Sequence, residues 1–313
     1  MNERITRRTA IKRLLGISGA AAFSSLTGWP LGDSGSVLAK PTGGTFIVEG
    51  LGRTSGYAVK GLIEKLFDEA GGIARFISRG DVVVIKPNIS WARSPDLAAT
   101  TNPEVLEGVI ELCYEAGAKT VRIADHTIHD ARRCFAITGA GAVAKKTGAD
   151  LIFPRSSLMK EMKIHGHRLD VWPVFVPLVE ADKLINVPVA KVHGLSTLTL
   201  GIKNWIGGVG GRRYALHQDI HQTIVDLAQF FKPTVTLIDA TRILASNGPS
   251  GGSTSDVVVK NTLILSDDQV AGDALAASFF GVRPEDLGFI TLASKWGLGT
   301  YELGQVHRKK VVI

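Results

Sequence analysis

Cysteine is nearly absent: 313 residues hold two, Cys113 and Cys134. A standard iron-sulfur cluster takes four thiolates, so this chain alone cannot supply one. Both cysteines fall in helical patterns, where a small buried thiol packs as a hydrophobe, although an oxidising compartment would also allow them to pair. The common nucleotide and hydrolase signatures are missing too. There is no GxGxxG between a strand and a helix, no GxxxxGK[ST] loop, no GxSxG elbow and no HExxH. These absences argue against a dehydrogenase of the usual sort, a P-loop enzyme, an α/β-hydrolase and a zincin. Long apolar runs are scarce. The longest, Leu14 to Trp29, is short and rich in Gly, Ser and Ala, so no stable membrane span is expected in the mature protein.

A large excess of one charge is also lacking, with 36 Lys and Arg against 29 Asp and Glu, or +7. Part of that excess belongs to the amino terminus. Thr6-Arg7-Arg8-Thr9-Ala10-Ile11-Lys12 resembles the twin-arginine export motif, with Ala10 where an aromatic is usual, and Val37-Leu38-Ala39 offers a small-residue cleavage site. Residues 1–39 are therefore read as a signal peptide handled by the twin-arginine translocation machinery, and the mature protein as periplasmic or otherwise extracytoplasmic. Removing its five basic and two acidic residues lowers the charge from +7 to +4. That balance argues against a nucleic-acid partner and allows a small anionic one.

With 45% hydrophobic residues, the remaining chain, 40–313, can bury a core as a single domain. Strand and helix patterns alternate along it. Asp81 to Ile85 is a continuous apolar run, the mark of a strand covered on both faces, and Pro87 stops it. Asn102, Pro103 and Glu104 open a helix as cap, first position and first turn. Thr120 to Ala124 is a strand ending at Asp125-His126, followed by a helix from about Arg132 to Lys146 and a strand at Ala149 to Phe153. Two prolines and loose alternation make Arg155 to Val179 a β-hairpin insertion. The rhythm resumes with the strand Lys183 to Val189, a helix from about His217 to Phe231, and a strand from Thr234 to Ile238 ending at Asp239. Val257 to Leu265 is a strand, Asp268 to Phe280 a helix, and the tail from Val306 an edge strand. The expected fold class is α/β, a mainly parallel sheet with helices on both faces.

Ligands in such sheets bind beyond the carboxyl ends of the strands. Four strand ends here carry polar groups: Lys86 and Asn88; Asp125 and His126; Asn186, Lys191 and His193; and Asp239. Any one could be a turn former. Together with Lys203, Asn204 and the loop Gly207 to Gly211 they suit a carboxylate or phosphate, with Lys86, Asn88, Thr100, Thr101, Asn204, Asp125 and Asp239 as binding candidates. Clustered lysines depress one another's pKa, so Lys191 or Lys203, beside His193, is a candidate catalytic group. A metal is the second reading. His217 and His221, spaced i, i+4 on the expected helix, would share a face with each other, and His126 and His193 are further candidate ligands for zinc, iron or nickel.

Five blocks carry a resemblance that spans nearly the whole mature region in order. They are VVIKPNI from Val83, Thr100 to Asp125, Glu180 to Gly208, Leu237 to Gly252, and Asp267 to Gly281. In these the chain resembles domain of unknown function 362, a bacterial and archaeal family sometimes fused to ferredoxin-type iron-sulfur modules. Lys86, Asn88, Thr100, Thr101, Asp125, Lys191, His193, Lys203, Asn204, Asp239 and Asp273 fall on family-motif positions. The family's general activity is not established, so the resemblance implies no catalytic role, and the missing cysteine cluster keeps an iron-sulfur role from carrying over. An exported anion-binding protein, enzyme or not, is the leading expectation; a non-catalytic accessory protein of a redox or metalloenzyme system is the alternative.

Overall fold

The computed structural model describes residues 44–53 and 56–313; the stretch read as a twin-arginine signal and the cleavage site expected after it lie outside them. The strands are β1 (Phe46–Leu51), β2 (Val82–Pro87), β3 (Thr120–Ala124), β4 (Asp150–Ile152), β5 (Met159–Lys163), β6 (Val171–Phe175), β7 (Lys183–Val187), β8 (Val189–His193), β9 (Thr197–Thr199), β10 (Val235–Leu244), β11 (Val257–Ser266) and β12 (His307–Val312). The α-helices are α1 (Val59–Glu69), α2 (Pro103–Glu115), α3 (Ala131–Ile137), α4 (Ala140–Thr147), α5 (Ile220–Phe231), α6 (Gln269–Ala277) and α7 (Gly288–Lys295).

One sheet runs in the order β12-β1-β11-β10-β7-β2-β3-β4. From β10 to β4 every pairing is parallel, while β11 runs antiparallel to both neighbours. The apolar run of β2 shows why helices cover both faces. Val83 and Ile85 pack into the core under α1 and α2, and Val84 packs into the opposite core with α5, α6 and α7. The hairpin at 155–179 is present as β5 and β6. Among the described residues no helix is long and apolar enough to cross a membrane. Cys113 and Cys134 are both buried and unpaired.

Four expectations are corrected. The helix expected from Arg132 to Lys146 is two helices, because Gly139 between them takes a φ of 82°, outside the helical range. The strand expected from Lys183 to Val189 ends at Val187. After Pro188 the chain resumes beside β10 as β8, continuing the parallel pairing that β7 makes with it, then turns back as β9. β10 does not end at Asp239 but continues to Leu244 through its ladder with β11. Finally, α5 begins at Ile220, after Asp219 caps it by accepting from Gln222 N. His217 therefore belongs to the preceding 3-10 turn, and it does not share a helix face with His221.

Following β2, the chain steps outward through β3 to β4, then returns to place β7 and β10 on the other side. The order thus reverses between β2 and β7. Their carboxyl ends flank the crevice where open α/β sheets bind ligands.

Candidate functional site

Lys86 on β2 and Asn186 on β7 are register partners across that reversal. A buried hydrogen-bond network grows from them. Asn204 Oδ1 accepts from Lys86 Nζ (3.0 Å) and from Asn88 Nδ2 (3.1 Å), while its Nδ2 donates to Asn186 Oδ1 (2.9 Å). Asn186 Nδ2 donates to Gly201 O (3.0 Å), tying the network to the segment that carries Lys203. Lys191 Nζ donates to Ala99 O and to Asn88 Oδ1, the latter at 3.3 Å. Asparagine suits this position because each side chain both donates and accepts, so the chain of bonds can continue through it.

Asp125, the first residue after β3, forms an ion pair with Lys86 at 2.7 Å and accepts from Ile89 N through its other oxygen, also at 2.7 Å. Burial outweighs this attraction, so the pKa of Lys86 lies below that of a free lysine. Gly207 packs directly on the pair. A methyl group added there would overlap Asp125 Oδ1 and lie 2.7 Å from Lys86 Nζ, so the close approach itself requires glycine. Gly207→Ala is expected to cost about 1–3 kcal/mol, the usual penalty for overpacking a closed site, read as a lower midpoint in urea unfolding.

Above this floor opens a cleft of about 460 Å³, into which Asn88, Lys191, His193, Lys203, Asn204 and His217 all face. The sequence missed Arg213, which also lines it and donates Nη1 to His126 O and Thr127 O at 2.9 Å each. Arg213 follows the Gly207 to Gly211 loop by two residues, and that adjacency was the available signal. Lys203 is 8% exposed, and its Nζ makes no hydrogen bond or ion pair among the described residues. Burial, then Arg213 and Lys86, pull its pKa down to about 7. Burial, then Lys203, also lower Lys191 well below the ordinary range. His193 is pushed down to about 3, by burial first and then by Lys203, Lys191 and His217. Its Nδ1 accepts from Leu195 N at 3.1 Å, so the neutral ring carries its proton on Nε2.

Other candidates lie elsewhere. Asp239, within β10, accepts from Asn102 N at 2.7 Å and from Thr241 N and Oγ1, holding the start of α2 rather than facing the cleft. Thr101 Oγ1 donates to Val187 O and accepts from Asn88 N, bracing the loop behind the network. Thr100 is buried, and its hydroxyl is without a partner among the described residues. Asp273 accepts from Gly201 N (2.7 Å) and Ile202 N (2.9 Å), and burial raises it to about 7. Of the metal candidates, His193 and His217 line the cleft. The other two are apart: His126 Nδ1 meets Val209 O at 2.7 Å, and His221 stacks on Phe289. Among the described residues no three His, Cys, Asp or Glu side chains converge as a metal site.

Comparison with known proteins adds a family and a partial likeness. Residues 83–278 match the family described as Domain of unknown function (DUF362). A thylakoid-associated protein of Synechocystis sp. is 24% identical over 251 residues, covering 75% of this chain and 74% of that one. Among solved structures, the lactate racemase apoprotein from Thermoanaerobacterium thermosaccharolyticum aligns with a TM-score of 0.45 at 11% identity, over 75% of this chain and 56% of that one. A Thermotoga maritima protein solved by the Northeast Structural Genomics Consortium aligns with a TM-score of 0.43 at 12% identity, over 76% and 58%. The chain thus spans little more than half the length of either solved structure.

Proposed function

We propose, from the premise that the chain belongs to the family described as Domain of unknown function (DUF362), that it binds a small carboxylate or phosphate in the cleft over β2 and β7. The observation that carries this reading is a charge imbalance. Lys191, Lys203 and Arg213 line the cleft and Lys86 lies in the network beneath it, and the carboxylate acting on Lys86, Lys191 and Arg213 is the same one, Asp125, already paired with Lys86. No carboxylate offsets Lys203. A buried cation without a partner is costly, and a bound anion would remove that cost for Lys203 while adding a counter-charge beside Lys191 and Arg213. Lys191, Lys203 and Arg213 would hold the anion, and the Nε2–H of His193 would donate to it. With a pKa of about 7, Lys203 is a group lining the cleft that can take up or release a proton at neutral pH.

This reading fixes a pH dependence. An anion binds the ammonium form of Lys203 more tightly than the amine, so binding raises the pKa from about 7. Affinity is full below pH 7 and falls as pH rises through the free value, by up to about tenfold per pH unit until the bound value is reached. Acetate stays ionised across this range, so titration calorimetry with acetate at pH 6 and pH 8.5 tests the reading. At least a tenfold weaker association at pH 8.5 is expected, and equal association at both would contradict it.

A further inference from the structure

The cleft has two unlike ends. Its cations are deep, with Lys191 1% and Lys203 8% exposed, whereas Ile128 at 49% and Leu195 at 59% stand at the opening. Trp91, Ile206 and Pro249 add apolar surface to the same walls. Ile128 and Leu195 reach the opening on two separate segments, the loop after β3 and the turn between β8 and β9. Of the nine large apolar side chains exposed among the described residues, Ile128 and Leu195 are the two that line the cleft. A site for a bare inorganic anion has no use for such a collar, since a small ion in the cationic end would not reach it.

From this arrangement we propose that the ligand is amphipathic: a monocarboxylate whose charged end sits among Lys191, Lys203 and Arg213 and whose apolar body lies against Trp91, Ile128 and Leu195. The proposal rests on the anion-binding reading and narrows it to a ligand class. Apolar walls with a few convergent polar groups are the usual make-up of a site that orients an organic molecule. Each methylene that leaves water against the collar should strengthen binding, by roughly fourfold if fully buried. An alkyl chain and an aryl ring would both satisfy the collar.

Titration of the full chain with acetate, butanoate, hexanoate, octanoate and phenylacetate at pH 6.5 separates this proposal from the one beneath it. The dissociation constant is expected to fall by at least threefold for each added pair of methylenes as far as hexanoate. Phenylacetate against octanoate then distinguishes an aryl from an alkyl body. In an Ile128→Ser, Leu195→Ser double variant that gain should shrink by at least half while acetate binding stays within twofold of wild type. Both side chains are exposed, and an unchanged circular dichroism spectrum and melting temperature would show that the variant is folded. Acetate binding with no dependence on chain length would overturn the amphipathic ligand and leave the anion site standing. Binding of no acid in the series would overturn both.

Discussion

Lys203→Met is expected to raise the stability of the fold while it removes anion binding. Methionine is close in length and apolar, and Lys203 has no bonded partner among the described residues to leave stranded. With a folded pKa of about 7 against an ordinary 10.5, the buried ammonium works against folding in a defined pH window. Below pH 7 both folded and unfolded states carry the charge, and the penalty is full. Between 7 and 10.5 the unfolded chain still binds the proton and the folded chain does not, so wild-type stability rises with pH; above 10.5 the penalty is gone. The variant should therefore gain on the order of 2–4 kcal/mol near pH 6, and this gain should shrink as pH rises toward 10. Urea unfolding at pH 6 and pH 9 measures it, and acetate affinity at pH 6 should drop about a hundredfold. A residue that stabilises the fold when removed, and disables binding when removed, is kept for binding. Lower stability at both pH values would instead mark Lys203 as structural.

Asp125→Ala is the second large effect, with the opposite sign. It leaves Lys86 buried without its ion-pair partner and deprives Ile89 N of its acceptor. Removing one member of a buried pair typically costs 3–5 kcal/mol, because the remaining charge is uncompensated. Adding Lys86→Met to this variant should recover a large part of the loss, since the stranded charge goes with it. Equal instability of the single and double variants in urea would mean that the Ile89 contact, rather than the charge, was decisive.

How much of this was legible in the sequence depended on how local each signal was. The run VVVIKP carried β2, its two buried faces and its stop at Pro87 without reference to any other segment. The same was true of the Asn102-Pro103 start of α2, where Asn102 accepts from Glu104 N as expected. Asp239 misled because strand length is set by the partner: the ladder with β11 carries β10 five residues past it, and no local feature announces that. The His217 and His221 pairing failed on a cap, since Asp219 between them starts the helix. Lys191 and Lys203 were legible as cations beside apolar runs. That Asn204 joins Lys86, Asn88 and Asn186 into one network depends on the strand reversal between β2 and β7, which only topology supplies.

The central claim is that Lys203 is held near neutrality for an anion. Nuclear magnetic resonance of its ε-methylene carbon, assigned by its loss in Lys203→Met, follows the protonation of that one group. A titration centred near pH 7 is expected in the free protein, with a shift upward by at least one unit in saturating acetate or hexanoate. A titration near the ordinary lysine value, or one that no carboxylate moves, would contradict it.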